Sequence, residues 1–479
     1  MDYNKSYQGT KDVGCEYLII TPNNQVFQSW ADTIKQFRTS QGIMTDVITL
    51  DEVGGNTINA IQNFVNDAYY NWDIVPVAIL LLGDYGTNAD NRIISPIWDS
   101  YCVSDNIFAD VTNNDMPDIV FARMTAQDED QLEVMITKFL NYETNPPTNP
   151  DFYNHPITAL GWQTERWFQI CSESIGGFWK NEMGKEPVRI NEVYGGDPTS
   201  DPWSTATNTY TVLNVFGPNG LGYLPGSPGD LGNWSGGDPE MINDAINSGA
   251  FALQHRDHGY EQGWGEPAYS SGNINSLTNT DLTFIFSVNC LTGKYNLSGS
   301  CFTETFHRYT KNGQNSGALG LIAASEVSYS FVNDAYVWGM YDNLWPDFLP
   351  DYGTTPDHQG VMPAFGNAAG KYFLQQSNWP YNTGNKEVTY NLFHHHGDAF
   401  LNLFTNVPLE MTILHDNVLL DGMNTFSILA NEGSLIGLTV DGEIIATEIG
   451  TGESMQISIL LSRGCGSEDY CYHAGSLQV

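Results

Sequence analysis

Tyr17-Leu18-Ile19-Ile20-Thr21-Pro22 opens the alternation that decides the fold. An uncharged, largely apolar run of this length reads as a strand buried on both faces. Residues 27–42 then place Phe27, Trp30, Ile34 and Phe37 at helical spacing. Asp46 to Leu50 is short and strand-like. Thr57 to Trp72 is helical again, with Ile58, Ile61, Phe64 and Val65 on one face, and Val77 to Leu82 is a strand ending at Gly83-Asp84. Strand–helix–strand repeats of this kind build a parallel sheet, so the fold class is α/β.

The pattern extends outward from there. A helix over 129–143 precedes Pro146-Pro147-Thr148-Asn149-Pro150, which breaks the chain and marks a subdomain boundary, giving an N-terminal α/β subdomain over 1–150. A second α/β subdomain, 151–407, begins at the strand Ile157 to Trp162. Residues 195–237, rich in Gly, Pro, Ser, Asp and Asn, read as long surface loops. Apolar strands return at Phe251-Ala252-Leu253, Phe284 to Val288 and Ala318 to Ala323. After Pro408 short alternating segments such as Leu435 to Val440 and Glu443 to Thr447 predict a small β-sandwich module, 408–479, too short to be complete and with an irregular tail from Gly464.

Composition narrows the function classes. Lys and Arg number 18 against 56 Asp and Glu, a formal net charge of -38. Such a surface repels phosphate backbones and anionic lipids and attracts cations, so nucleic acid is not an expected partner. No apolar run is long enough to span a membrane, and the polar opening Met1-Asp2-Tyr3-Asn4-Lys5 is no signal peptide. Seven cysteines, an odd number, leave at least one thiol unpaired, and their spacing fits neither a disulfide framework nor a zinc ribbon.

Two segments carry chemistry. His255-Arg256-Asp257-His258-Gly259-Tyr260-Glu261 lies just past one apolar strand, and Asn289-Cys290-Leu291-Thr292-Gly293 just past the next. Ligands of open parallel sheets bind outside the carboxyl ends of strands, so neighbouring strands would bring His258 and Cys290 to one edge. A thiol beside an imidazole can be held as thiolate, and the imidazole can protonate a leaving amine. The Gly259 and Cys290 amides are candidates for an oxyanion hole. Taken singly, each has a plainer reading: a cysteine after a strand is usually a small buried hydrophobe, and His-Gly usually a turn.

His258-Gly259-Tyr260-Glu261-Gln262-Gly263-Trp264-Gly265 resembles the histidine motif of the gingipain family of cysteine peptidases. Leu277-Thr278-Asn279, Phe284-Ile285-Phe286 and Cys290 resemble its nucleophile strand. Ser300 to Glu304, Gly320 to Ser325, Leu81 to Asp84 and Ser104 through Arg123 continue the likeness, which covers roughly residues 15 to 407. The resemblance implies a caspase-like fold, a parallel-sheet sandwich in two subdomains with the catalytic one at 151–407, followed by an immunoglobulin-like module. It implies a Cys/His dyad hydrolysing peptide bonds of protein or peptide substrates, with no cofactor for catalysis. It also implies an acidic residue against the histidine, assigned to Glu165 in Gly161-Trp162-Gln163-Thr164-Glu165-Arg166-Trp167, and export to the bacterial surface or medium.

For specificity, the Arg- and Lys-cleaving members use an acidic pocket residue; Glu173 is the candidate here, although this segment is shorter than theirs, and a basic residue before the cleaved bond is the expectation. Tyr329 or Phe331 in Ser325 to Phe331 would stand in for an aromatic lid, with Trp264 as a further substrate contact. Asp105, Asp110, Asp115 and Asp118 are candidate ligands of a structural calcium, the alternative being a solvated acidic turn. His394-His395-His396 looks like a metal tract, but adjacent histidines point apart, and a structural role is expected. His255 with His258 makes a zinc pair lacking a third ligand. Two other functions share these residues: an inactive calcium-binding surface or adhesin module on a peptidase scaffold, and a transpeptidase in surface-protein sorting.

Overall fold

Strands apolar along their whole length need cover on both faces, and the computed structural model supplies it. The structure describes residues 14–416, 418–419, 424–440, 442–459 and 472–473. The tail from Gly464, with Cys465 and Cys471, lies outside these apart from the backbone of 472–473. The main sheet has ten strands: β1 Tyr17–Thr21, β2 Thr45–Thr49, β3 Ala78–Leu82, β4 Val120–Met124, β5 Ile157–Gln163, β6 Val188–Gly195, β7 Ala252–Arg256, β8 Thr283–Val288, β9 Ala318–Ala324 and β10 Phe393–His396. Their order across the sheet is β2-β1-β3-β4-β10-β9-β8-β7-β5-β6.

Every neighbouring pair is parallel except β10 with β9. That one antiparallel seam, Leu321 opposite His396 and Ala324 opposite Phe393, turns the second half of the sheet upside down relative to the first. The carboxyl ends of β5, β7, β8 and β9 therefore form one continuous rim, and those of β1, β3 and β4 lie at the opposite rim.

Alternating strand residues serve two cores. Tyr17, Ile19, Leu80, Trp162, Phe284 and Phe286 face a large cluster with α1 Gln25–Ser40, α3 Glu129–Thr144, α4 Phe168–Asn181, α6 Val332–Leu344 and α7 Pro363–Gln376. On the other face Leu18, Ile20, Ile79 and Leu81 meet α2 Ile58–Asn71, and Ile157, Leu253 and Ile285 meet α5 Pro239–Ser248. The helix starts follow local chemistry: Asn24, Thr57, Asp128 and Asp238 each accept a backbone N–H in the first turn of α1, α2, α3 and α5.

Three features depart from the sequence reading. The 195–237 stretch is not merely surface loop: it contains the helix Thr209–Phe216 and pins itself inward through buried Trp203, Tyr223, Leu224 and Trp234. His394-His395-His396, given a structural role above, is the central strand β10. Helices α6 and α7 were not anticipated. After residue 408 two small antiparallel sheets, one with Thr425–Leu429 beside Ser454–Ser458 and one pairing Leu435–Val440 with Glu443–Ile449, share a core of Phe426, Ile428, Ile436, Leu438 and Ile457.

Candidate active site

Four adjacent strands deliver the site. From β9 comes Ser328, from β8 Cys290, from β7 His258, and from β5 Gln163. Registers bring the ends together: Val288 lies opposite Arg256 and Leu160 opposite Arg256, so Cys290 and His258 each stand two residues beyond a paired position. The approach is close. A Cβ on Gly259 would come within 2.5 Å of both Asn289 Oδ1 and the Cys290 carbonyl oxygen, so only glycine lets these backbones pass.

Cys290 differs from the other thiols. Cys15, Cys102, Cys171 and Cys301 are buried, whereas Cys290 is half-buried. Burial pushes the Cys102 thiol up to about 12 and those of Cys171 and Cys301 well above the ordinary range, which keeps them inert. The Ser328 backbone N–H donates to Cys290 Sγ at 3.3 Å, which ties the thiol to the segment after β9. Ser328 Oγ donates to the Asn289 carbonyl at 2.9 Å and locks the two loops together. Leu291, directly after the thiol, sits at φ 64° and Phe331 at φ 73°; side chains held in this region cost about 1–3 kcal/mol each and mark a turn fixed by its surroundings.

His258 is half-buried between the edge of Phe168, 5.5 Å away, and exposed Tyr194, 5.3 Å away. Its Nε2 lies 3.0 Å from Gln163 Oε1. Gln163 Nε2 in turn donates to Glu165 Oε1 at 2.6 Å. A carboxylate only accepts, so Glu165 fixes which way the Gln163 amide points; the amide oxygen then requires a proton on His258 Nε2 and leaves Nδ1 as the basic nitrogen. Glu165 thus reaches the histidine through Gln163 rather than touching it, a correction to the direct contact expected. Burial, Arg256 and Arg166 lower the pKa of His258 against the opposing pull of Glu165, so the ring is neutral near pH 7.

The second histidine is structural. His255 is fully buried and stacks on Trp264 with centroids 4.2 Å apart; Asn289 Nδ2 lies 2.8 Å from its Nδ1 and the Glu266 carbonyl 3.3 Å from its Nε2. Burial pushes its pKa down to about 3. Both nitrogens are engaged, so His255 and His258 make no zinc pair. Trp264, expected at the substrate, is 3% exposed and donates to Ser287 Oγ; it supports the site from below.

Glu173 does not open into a pocket. It is 4% exposed and gripped by Arg189, with Nη2 2.7 Å from Oε1. The ring of Phe331 is buried against Trp167 at 5.1 Å and Tyr381 at 4.4 Å, and Tyr329 donates to the Tyr101 hydroxyl at 3.3 Å. The 325–331 segment is therefore a built wall, not a free lid.

The acidic candidates for calcium part company. Asp105 is buried in an ion pair with Arg123, 2.7 Å, alongside Ser95. Asp110 accepts from the Asn114 and Asp115 amides, and Asp118 from Thr112, so these carboxylates brace their own turn, with Asp115 at φ 68° inside it. Among the described residues no three His, Cys, Asp or Glu side chains converge to hold a metal, and Asp105 stands in an ion pair apart from the turn that holds the other three. Sequence reasoning missed Gln163, Arg166 and Ser328 as site residues. The first two sit inside the quoted 161–167 segment; only strand register could single them out.

Comparison with known proteins agrees with this architecture. Gingipain R2 of Porphyromonas gingivalis is 23% identical over 434 residues, covering 88% of this chain and 51% of that protein. Lys-gingipain of the same organism is 22% identical over 452 residues, 86% of this chain and 22% of that one. The chain thus spans about half the length of Gingipain R2. The crystal structure of the Arg specific cysteine proteinase gingipain R superposes with a TM-score of 0.74 at 19% identity, covering 95% of this chain and 93% of that one. At that identity the likeness speaks to the fold, a mixed α/β chain around a large, mostly parallel sheet. Residues 10–404, most of the sequence, match the family described as Peptidase family C25, and the chain belongs to that family.

Proposed function

We propose that this chain is a cysteine endopeptidase that hydrolyses peptide bonds through a thioester acyl-enzyme. The observation that carries the reading is the meeting of His258-Gly259 with Asn289-Cys290 at the rim, where Cys290 is the one half-buried thiol among the described cysteines. His258 Nδ1 takes the thiol proton, and Sγ attacks the substrate carbonyl carbon. The Gly259 and Cys290 amides receive the oxyanion. Collapse of the tetrahedral adduct expels the amine, which collects the proton from Nδ1, and water then releases the acid by the same route. Glu165, acting through Gln163, holds the imidazole in the tautomer that this cycle needs.

A preference for basic residues does not enter the proposal, because Glu173 is closed by Arg189. On architecture, we extend the reading to a caspase-like arrangement with an immunoglobulin-like end; the two parallel halves of the sheet and the two small sheets after residue 408 support it. An extracellular or cell-surface site of action belongs to the same proposal, and protein or peptide chains are its substrates.

The test is Cys290→Ala on a peptide-library digest, with the product masses read. Cleavage should fall by at least about 10³-fold while the circular dichroism spectrum and melting temperature stay those of the parent. Full-rate cleavage by the variant would remove Cys290 from the mechanism. Products lengthened by an added amine, rather than free acids, would make the chain a transpeptidase.

A further inference from the structure

Seven arginines are described, and five of them are ion-paired: Arg38 with Glu143 and Asp398, Arg123 with Asp105, Arg189 with Glu173, Arg256 with Asp334, and Arg308 with Glu304. In a chain with 56 acidic residues against 18 basic ones, an unpaired arginine needs a reason. Arg92 lies over the Tyr85 ring, at 6.0 Å. Arg166 has no such partner: no carboxylate lies within 4.0 Å of it among the described ion pairs, and its buried Nε has no hydrogen-bond acceptor.

Its position is the second observation. Arg166 closes a turn onto Gln163, its N–H donating to the Gln163 carbonyl at 2.9 Å, and Gln163 is the residue that touches His258. Gln169 Nε2 holds both ends of that turn, donating to the carbonyls of Gln163 and Arg166. The next residue, Trp167, packs on Phe331, which ends the wall whose Ser328 touches Cys290 and whose Phe331 ring meets half-exposed Tyr381. Arg166 therefore stands on the rim between the histidine and the aromatic wall, and it is close enough to depress the His258 pKa.

We infer that Arg166 is the specificity-determining residue of this site and that the peptidase cleaves after aspartate or glutamate, whose side-chain carboxylate the guanidinium receives. The inference rests on the peptidase reading above and deepens it. A guanidinium offers a planar set of donors matched to a carboxylate, and its half-buried setting strengthens the contact. The net charge of -38 opposes an acidic substrate at long range, so the preference resides in this contact and not in steering. The single carboxylate nearest in sequence, Glu165, is engaged by Gln163.

The experiment is a set of quenched fluorogenic peptides identical except before the cleaved bond, where Asp, Glu, Gln, Leu, Lys or Arg stands. The full chain and its Arg166→Glu variant are compared. The parent should cut after Glu at least about tenfold faster than after Gln, its neutral isostere. Arg166→Glu should lose cleavage after Asp and Glu by about 100-fold and gain cleavage after Lys and Arg, a gain that no misfolded variant can show. A parent that cuts mainly after basic or apolar residues overturns the inference and leaves the peptidase reading standing. A profile unchanged by Arg166→Glu overturns it equally. If no peptide is cut and iodoacetamide fails to label Cys290, the peptidase reading falls, and the inference with it.

Discussion

Asp334→Ala removes one carboxylate that holds two parts of the site at once. Its Oδ1 accepts from Arg256 Nε at 2.7 Å, at the end of the strand that leads to His258, and its Oδ2 accepts from the Phe331 N–H at 2.8 Å, at the end of the wall beside Cys290. Neither partner can turn to water: the Arg256 side chain is 1% exposed and that of Asp334 0%. A guanidinium does not shed its charge, so truncation leaves a buried, unpaired cation, which costs about 3–5 kcal/mol. The lost cap on the first turn of α6 adds about 1 kcal/mol. Two contacts survive to soften the loss, Arg256 Nη1 on the Val288 carbonyl and the guanidinium 4.1 Å from the Phe168 ring centroid, which holds the expectation to about 4–5 kcal/mol. Against a usual stability of about 5–15 kcal/mol this is a large fraction. Urea unfolding followed by tryptophan fluorescence reads it as a lowered midpoint, with Asp334→Asn, which keeps one acceptor oxygen but turns an NH2 donor towards the other N–H, falling between. Iodoacetamide labelling of Cys290 should also change rate, because the Ser328 wall loses its anchor. A midpoint equal to the parent's would show that the pair is not the strut described here.

Two further outcomes test other parts of the structure. Gly259→Ala forces a methyl group against the Cys290 carbonyl and Asn289 Oδ1, and its kcat/KM on a cleaved peptide should drop about 100-fold, the scale of a displacement near 1 Å at reacting groups; parental kinetics would mean that the two backbones are not in contact. Acidification should destabilise the fold between pH 6.5 and 5. Burial lowers the pKa of His255 to about 3 and those of His394 and His395 to about 4, with His307 and His396 depressed as well, so below 6.5 the unfolded chain binds protons that the folded one refuses. Asp257 and Asp342, raised by burial to about 8 and about 7, act in the opposite sense: their contribution is whole below pH 4 and is lost as pH rises through those values. The depressed histidines outnumber the two raised carboxyls, so the net effect of acidification is a loss of stability, read as falling urea midpoints; a midpoint that rises on acidification would contradict it.

Much of the sheet was legible because both of its faces are covered. Strands such as β1 and β3 are buried at every position and so appear as unbroken apolar runs, and the turns between them carry ordinary capping residues. The same burial hid other elements. All thirteen residues of α6 are buried, so Val332 to Leu344 shows no polar face and no stripe at helical period. Strand β10 hid for the opposite reason: three histidines look like a polar tract. They are tolerated at the centre of the sheet because the Asp105 amide donates to His394 Nε2 and His395 Nε2 lies 3.0 Å from the Asp398 carbonyl. Missing β10 meant missing the antiparallel seam, and with it the reversal that puts the two halves' rims at opposite ends.

At the site, sequence order could place Cys290 and His258 past the ends of apolar strands, but which side chains meet them is a question of register. Leu160 lies opposite Arg256. Three residues further along β5 is Gln163 and two further along β7 is His258, so the amide and not Glu165 meets the ring. A shift of one residue would send Gln163 to the other face and change the histidine's partner. Register also pairs Thr158 with Arg189, which puts Arg189 within reach of Glu173 on α4 and closes the acid expected to receive a basic substrate. What remains open on that rim is Arg166. The charge that a substrate meets was thus decided less by which charged residues the segment contains than by which of them the fold had already neutralised.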